Sequence, residues 1–500
     1  MQTLSPDPVP STPSPHPLMR WWDRGVRVRV ALIALNAMGL AFVASDEVRL
    51  ASSVLALIAG LMIVRSIRCG RAPSETPLAA PPRIAGGLYL GRGFEWMIDA
   101  AQETIEQGRP SRRTERSLVL PDAMLNQHVL ILGTTGTGKT RLLELLVLQA
   151  VARGDAVIVF DPKGHSGLLA RVRSASGPRF RLFSLPHPQD SVKYNPIGRY
   201  HDVREVADRV AALLPSSGDA LAFRNFGWEI VNTVAREFHG KRTIDFQALK
   251  RAALDHPIKP LSDRPRDHYL KMASALIPIL SKLSQDLLCP KQGGLSWDEV
   301  DAARQVVYFS LGSLLGSETS SAVAKTALLD LQSYVGARYA YAKGRGPIWL
   351  FIDELGDVVT PDFVGLLNKS RGAGLRIVAC GQTAADLEAS LGSRARALQV
   401  IGNANTVVQF RAQSAPDAEV FSQMSGERLV RMHSEAAAYE PALLGSGFKT
   451  VDDFRARFGE SVDWREHALV PPWAVAQLPI FHFFARWDGK VYRGHVPLLR

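Results

Sequence analysis

Residues 133–140 read Gly133-Thr134-Thr135-Gly136-Thr137-Gly138-Lys139-Thr140 and fill the pattern G-x-x-x-x-G-K-[ST] without a gap. The glycines let a backbone fold around a triphosphate with its N–H groups turned inward. A helix leaving such a loop adds the positive end of its dipole to the same anion. In that setting Lys139 is expected to reach the β- and γ-phosphates of ATP, and Thr140 to hold Mg²⁺ through its hydroxyl. An apolar run, His128 to Leu132, leads into the loop, and Arg141 to Arg153 reads as the helix that leaves it. A chance glycine-rich turn would lack this strand–loop–helix context. Far downstream, Ile348-Trp349-Leu350-Phe351-Ile352 is a hydrophobic strand ending in Asp353 and Glu354. Asp353 is expected to bind the Mg²⁺, directly or through water, and Glu354 to polarise the attacking water. Two adjacent acids at a strand end point to hydrolysis rather than nucleotide binding alone.

Three weaker signals surround these. The strand Leu375 to Cys380 ends in Gly381-Gln382-Thr383, where Gln382 is placed to sense the γ-phosphate or orient water. Arg371, in Lys369-Ser370-Arg371-Gly372, is read in two ways: an arginine finger reaching a neighbouring subunit's nucleotide, or a solvated surface residue. Asp161-Pro162-Lys163-Gly164 ends the strand Ala156 to Phe160. Strand C-terminal ends build the sites of open α/β sheets, which places Asp161 and Lys163 beside the nucleotide. An ordinary turn is the other reading.

These residues need a sheet to hold them. Seven segments have strand character: His128–Leu132, Ala156–Phe160, Arg179–Phe183, Gln305–Leu311, Ile348–Ile352, Leu375–Cys380 and Thr406–Arg411. Helical patterns alternate with them, so the expected class is α/β with a mostly parallel sheet covered on both faces. Between Asn195-Pro196 and Leu295 the strands vanish, and four segments read as helices: Asp202–Leu214, Ala220–Phe238, Asp245–Asp255 and Arg266–Leu288. This is the pattern of an inserted all-α subdomain. Its Phe223, Phe226 and Trp228 are either core aromatics or a surface that docks a partner or stacks bases. Near the end, Ile480–Trp487 and Lys490–Val496 flank Asp488-Gly489, a hairpin expected at the edge of the main sheet.

The N-terminus is different. Residues 1–17 are rich in Pro and Ser and are expected to be disordered. Two uncharged apolar runs follow, Val30–Ser45 and Leu50–Val64, around the polar tip Asp46-Glu47-Val48-Arg49. Each is a little under the roughly 20 residues a spanning helix prefers. Arginines crowd both outer flanks (Arg20, Arg24, Arg27 and Arg29; Arg65, Arg68 and Arg71). Excess positive charge places such ends in the cytoplasm, and a two-helix hairpin across an inner membrane is expected. A cleaved signal peptide would leave the second run unexplained; a soluble helical hairpin stays open. After a Pro/Ala linker come the strand-like Gly91–Phe94, an amphipathic helix, and a basic stretch with Arg109, Arg112, Arg113 and Arg116.

The 500 residues allow about two to four domains. The expected division is 1–17 tail, 18–71 hairpin, 72–117 linker and juxtamembrane segment, 118–195 first part of the nucleotide domain, 196–300 all-α insertion, and 301–500 second part with the hairpin. A net charge of +11 favours an anionic partner, nucleic acid or a membrane surface, without choosing between them. Cys69, Cys289 and Cys380 are isolated, and the histidines have no metal-binding spacing, so disulfide frameworks and zinc sites have no support.

Taken together, the chain resembles the type IV secretion coupling proteins, close to the TraD branch of integrative conjugative elements within the TraD/TraG-like, FtsK/HerA-type motors. The resemblance rests on Gly133–Thr140, Asp161–Gly164, Tyr194-Asn195-Pro196-Ile197-Gly198, Leu214–Gly218 with Ala222-Phe223, Phe351–Glu354 and Gly381–Thr383. Leu90–Trp96 and Gly402–Thr406 add to it. It implies a RecA/FtsK-like P-loop NTPase with an all-α insertion, and a homo-hexamer moving single-stranded DNA with its relaxase toward a secretion channel. It also implies that Lys139 and Thr140 form the phosphate pair, Asp353 and Glu354 the acidic pair, Gln382 the sensor and Arg371 the trans arginine. The short tip departs from the pattern, and the resemblance does not extend past Arg411, so assignments there rest on pattern alone. Two competing expectations are an ATP-gated docking platform for relaxosome proteins and an FtsK-like translocase of duplex DNA.

Overall fold

Apolar runs without polar alternation become strands buried on both faces. The computed structural model describes residues 78–107, 113–215, 220–255, 265–314, 316–341, 346–441 and 454–499. The expected tail, both apolar spans, Arg109 and Arg112 lie outside these residues. Among the described residues, no helix is long and apolar enough to cross a membrane.

Among the described residues thirteen strands are formed: β1 (Gly87–Glu95), β2 (Arg116–Pro121), β3 (Val129–Leu132), β4 (Ala156–Asp161), β5 (Phe180–Ser184), β6 (Val306–Ser310), β7 (Ile348–Ile352), β8 (Leu375–Gly381), β9 (Thr406–Phe410), β10 (Glu427–Pro441), β11 (Phe454–Ala468), β12 (His482–Trp487) and β13 (Lys490–His495). Eleven make one sheet, in the order β2-β1-β13-β12-β9-β3-β8-β7-β4-β6-β5. Pairings from β9 to β5 are all parallel, and those from β2 to β9 all antiparallel. Alternation along each strand divides the core in two. Leu130, Leu132, Ile158, Phe160, Leu350 and Ile352 enter one cluster; Val129, Ile131, Val157, Val159, Trp349 and Phe351 enter the other.

The helix Lys139–Ala152 lies in the second cluster with most of its length buried. Its Gln149 amide reaches back to β1, accepting from Tyr89 N–H at 2.8 Å and donating to Tyr89 C=O at 2.9 Å. Gly154 follows the helix with φ 80°, a left-handed stop that a side chain would resist.

Between β5 and β6 the chain forms helices: Arg204–Ala211, Ala220–Phe238, Phe246–Leu254, Arg266–Ala273, Leu276–Leu283 and Trp297–Ala302. The expected Arg266–Leu288 helix is broken at Ser274-Ala275 and ends at Leu283. A buried polar cluster anchors this insertion. Asp330, on the helix Ser317–Ala340, accepts from Tyr194 OH and Trp297 Nε1 at 2.6 Å each, and pairs with Arg209 at 3.0 Å. Removing one partner of such a pair costs roughly 3–5 kcal/mol. Of the insertion's aromatics, Phe226 is buried against Tyr269, while Trp228 is half-buried and donates to Asp208 at 2.7 Å.

Two sequence expectations change. The C-terminal hairpin is interior to the sheet, since β12 pairs with β9 while β13 pairs with β1. Local pattern shows a hairpin but not that a segment some four hundred residues earlier closes its outer side. The segment after Arg411 forms a long two-stranded ribbon, β10 with β11, that the sequence reading did not contain. Part of the basic stretch is β2, and Arg113 pairs with Asp99 at 2.7 Å.

His128 enters β3 with φ 62° and its ring is buried. Nδ1 accepts from Ile377 N–H at 3.2 Å, and Nε2 is 3.0 Å from Leu367 C=O. Burial chiefly lowers its pKa to about 4. His482 is lowered to about 3 by burial and by Arg493 and His495. Both pKa values lie below the unfolded value near 6.5. The unfolded chain therefore binds protons that the folded chain refuses, and stability falls as pH drops from about 6.5 toward 4. The unfolding free energy from urea titrations should decline between pH 7 and 4.5 by about 3 kcal/mol per group at most, and His128→Gln should flatten the slope.

Candidate nucleotide site

Because β3, β8, β7 and β4 run parallel, their C-terminal ends carry the phosphate loop, Gln382, the acidic pair and Asp161 to one edge of the sheet. The loop opens at Gly133, φ 148°, where a Cβ would lie 2.6 Å from the Phe410 side chain. Thr134 donates from N and Oγ1 to Arg411 C=O at 3.0 and 3.1 Å, and Thr137 Oγ1 donates to Thr134 C=O at 2.7 Å. Gly136 and Gly138 take φ 77° and 119°, conformations that suit glycine. Thr135 lies at the rim, where its hydroxyl donates to Gln382 Oε1 at 3.2 Å.

Lys139 is 8% exposed. Its Nζ donates to Gly133 C=O at 2.5 Å and Thr134 C=O at 3.0 Å, and burial lowers its pKa. A buried ammonium that meets two carbonyls of a glycine-rich loop fits a polyphosphate, which would replace them. Thr140 Oγ1 donates to Asp353 Oδ1 at 3.0 Å. Burial, then the nearby Asp161 charge, raises the Asp353 pKa. A hydroxyl and a carboxylate held together at the helix start suit a Mg²⁺ ion, which would relieve that strain. A cleft of about 230 Å³ opens over this group.

Glu354 is buried, and two donors meet on its Oε2: Lys163 Nζ at 3.0 Å and Gln382 Nε2 at 2.8 Å. Burial works to lower the Lys163 pKa, but attraction to Glu354 outweighs it and the net shift is upward. Asp161 is fully buried. It accepts from Gly164 N–H at 2.8 Å, His165 N–H at 2.5 Å and Tyr308 OH at 2.6 Å. Its carboxylate shapes the turn that presents Lys163.

Arg371 is placed elsewhere. It sits in the turn Ser370–Ala373 that precedes β8, whereas Gln382 follows β8. The strand between them spans roughly 20 Å. Arg371 is exposed and lines a separate groove with Tyr339, Asp362 and Asn368. Sequence reading missed two residues of the cleft wall, Arg141 and Phe481. Phe481 carries no motif and lies beside Gly138 only through the fold.

A family model described as the TraM recognition site of TraD and TraG matches residues 347–479. Another, described as the central domain of helicase HerA, matches residues 105–198. No curated protein matches the chain. Among solved structures, the unbound bacterial conjugative coupling protein TrwBΔN70 is 17% identical with a TM-score of 0.59, covering 83% of this chain and 97% of that one. TrwB in complex with a non-hydrolysable ATP analogue is 16% identical, TM-score 0.59, over 83% and 96%. VirB4 of Thermoanaerobacter pseudethanolicus is 12% identical, TM-score 0.52, over 83% and 97%. At these identities the structures speak to fold.

Asp161→Asn should cost about 1–3 kcal/mol, because one of its accepting positions becomes a donor facing donors. The urea midpoint should fall with an unchanged denaturant slope, and Tyr308→Phe should lower it less. The chain thus carries a HerA-like segment at residues 105–198 and a TraD/TraG-like segment at residues 347–479, on the fold of TrwB.

Proposed function

We propose that this chain is a membrane-anchored, ATP-driven DNA translocase. It acts as a conjugative coupling protein and links a relaxase–single-stranded DNA complex to a type IV secretion channel. The observation that carries the motor reading is the 3.0 Å contact from Thr140 to Asp353, which brings the phosphate loop onto the acidic strand. The coupling role is supported by the match of residues 347–479 to the TraM recognition site of TraD and TraG, and by the TrwB fold. The net charge of +11 suits a DNA backbone.

Bound Mg²⁺ and ATP supply the phosphoanhydride and neutralise its charge. Lys139 exchanges its carbonyl partners for phosphate oxygens, and Thr140 and Asp353 hold the metal. Glu354 takes the proton of the attacking water, with Gln382 orienting it. Lys163 and Gln382 both contact Glu354 before the reaction. Arg371, at the far end of β8, cannot serve its own cleft and completes the site of the next subunit in a ring, taken here as a hexamer. The apolar runs Val30–Ser45 and Leu50–Val64 anchor the ring in the inner membrane through two spans.

The test is ATP turnover of the full chain in detergent, with single-stranded DNA, duplex DNA or neither. Single-stranded DNA should stimulate most. Equal rates in all three would favour a docking platform, and a duplex preference an FtsK-like role. Glu354→Gln should bind ATP yet lose about 100-fold or more in turnover, and Lys139→Ala should lose binding as well. Mixing Lys139→Ala with Arg371→Ala subunits should restore part of the activity, because some interfaces then pair two intact halves. Failure of mixing to rescue would rule out action in trans.

A further inference from the structure

The groups that handle the terminal phosphate all lie on one side of the phosphate loop. Gln382, Asp353 and Lys163 follow β8, β7 and β4, which succeed β3 in one direction across the sheet. In the other direction lie β9 and β12, and Phe481 immediately precedes β12. Phe481 lines the same cleft as Lys139, Thr140 and Asp353. Its backbone is held at φ 67°, a conformation rare for an aromatic residue and found mostly where the surroundings impose it. The restraint is a hydrogen bond from Phe481 N–H to Thr137 C=O at 2.8 Å, with Val496 N–H donating to Phe481 C=O at 2.9 Å. The ring rests on Gly138, where a Cβ would come within 2.9 Å of it. Phe410 and Phe483 beside it are fully buried, but Phe481 is partly exposed.

We propose that Phe481 is the base-binding residue of the cleft, its ring stacking on the purine of the bound nucleoside triphosphate. The proposal rests on the nucleotide reading above and adds the residue that recognises the base. With the γ-phosphate directed toward Glu354 and Gln382, the nucleoside leaves the loop on the Phe481 side. There the aromatic face is the broad apolar surface available to it. Stacking is tolerant of base identity, because every base has a π-face. The cleft therefore accepts ATP and GTP alike at this position.

The experiment compares binding of ATP and of inorganic tripolyphosphate, both with Mg²⁺, to the full chain by calorimetry. Phe481→Leu keeps apolar bulk against Gly138 but removes the π-face; Phe481→Tyr keeps it. The expected result is an ATP affinity about tenfold lower in Phe481→Leu, near normal in Phe481→Tyr, with tripolyphosphate unchanged in both. Parallel loss of ATP and tripolyphosphate in Phe481→Leu would overturn the proposal, since the ring would then only shape the loop. Unchanged ATP binding in Phe481→Leu would overturn it too. Lys139→Ala separates the levels: if it weakened neither ligand, the nucleotide reading itself would fail.

Discussion

A 3.0 Å hydrogen bond from Thr140 to Asp353 joins residues 213 apart in the chain, and the arrangement of the sheet exists to make it possible. Parallel strands deliver every C-terminal end to one edge, so a loop after β3 meets carboxylates after β7 even with β8 between them. The contact places an acid whose ionisation is opposed by burial next to the glycine-rich loop. Lys139, also buried, has its charge opposed in the same way. Both groups are held in environments that a metal–phosphate ligand would relieve.

Around this pair the side chains are arranged in a chain of dependence. Tyr308 holds Asp161, Asp161 holds the 162–165 turn, the turn presents Lys163, and Lys163 meets Glu354. Gln382 reaches the same Glu354 oxygen and is itself touched by Thr135 of the loop. A change at the phosphate loop thus reaches the acidic strand through two hydrogen bonds. Farther out, the Asp330 cluster ties the helical insertion to the helix Ser317–Ala340 through buried contacts with Tyr194, Trp297 and Arg209. That linkage joins the insertion to the helix Ser317–Ala340 by buried polar contacts as well as by the chain itself.

Much of the site was legible in the sequence. The phosphate loop, the acidic pair and Gln382 each sit at the end of an apolar run, and turn chemistry at strand ends is local. The strands β3, β4, β6, β7 and β8 were visible for the same reason, as short apolar segments bounded by glycine or acid. Asp161 was found as a neighbour of the site, but its use as a turn anchor depends on Tyr308, brought over by β6. Arg371 was visible as an arginine in a polar turn. Its separation from the chain's own cleft follows from lying before β8 rather than after it.

The residue types and their spacing alone determined that a glycine-rich loop enters a helix and that a buried strand ends in two acids, because both are built from contiguous residues whose backbone needs are met locally. Only the tertiary structure decided that the C-terminal hairpin is enclosed by β1 and β9, that β10 and β11 form a ribbon, and that Phe481 stands against Gly138. Apart from the ribbon, whose strands are near neighbours in sequence, those are contacts between segments far apart in the chain. They depend on which strand edges are left open once the parallel sheet has formed, and no short-range periodicity records that.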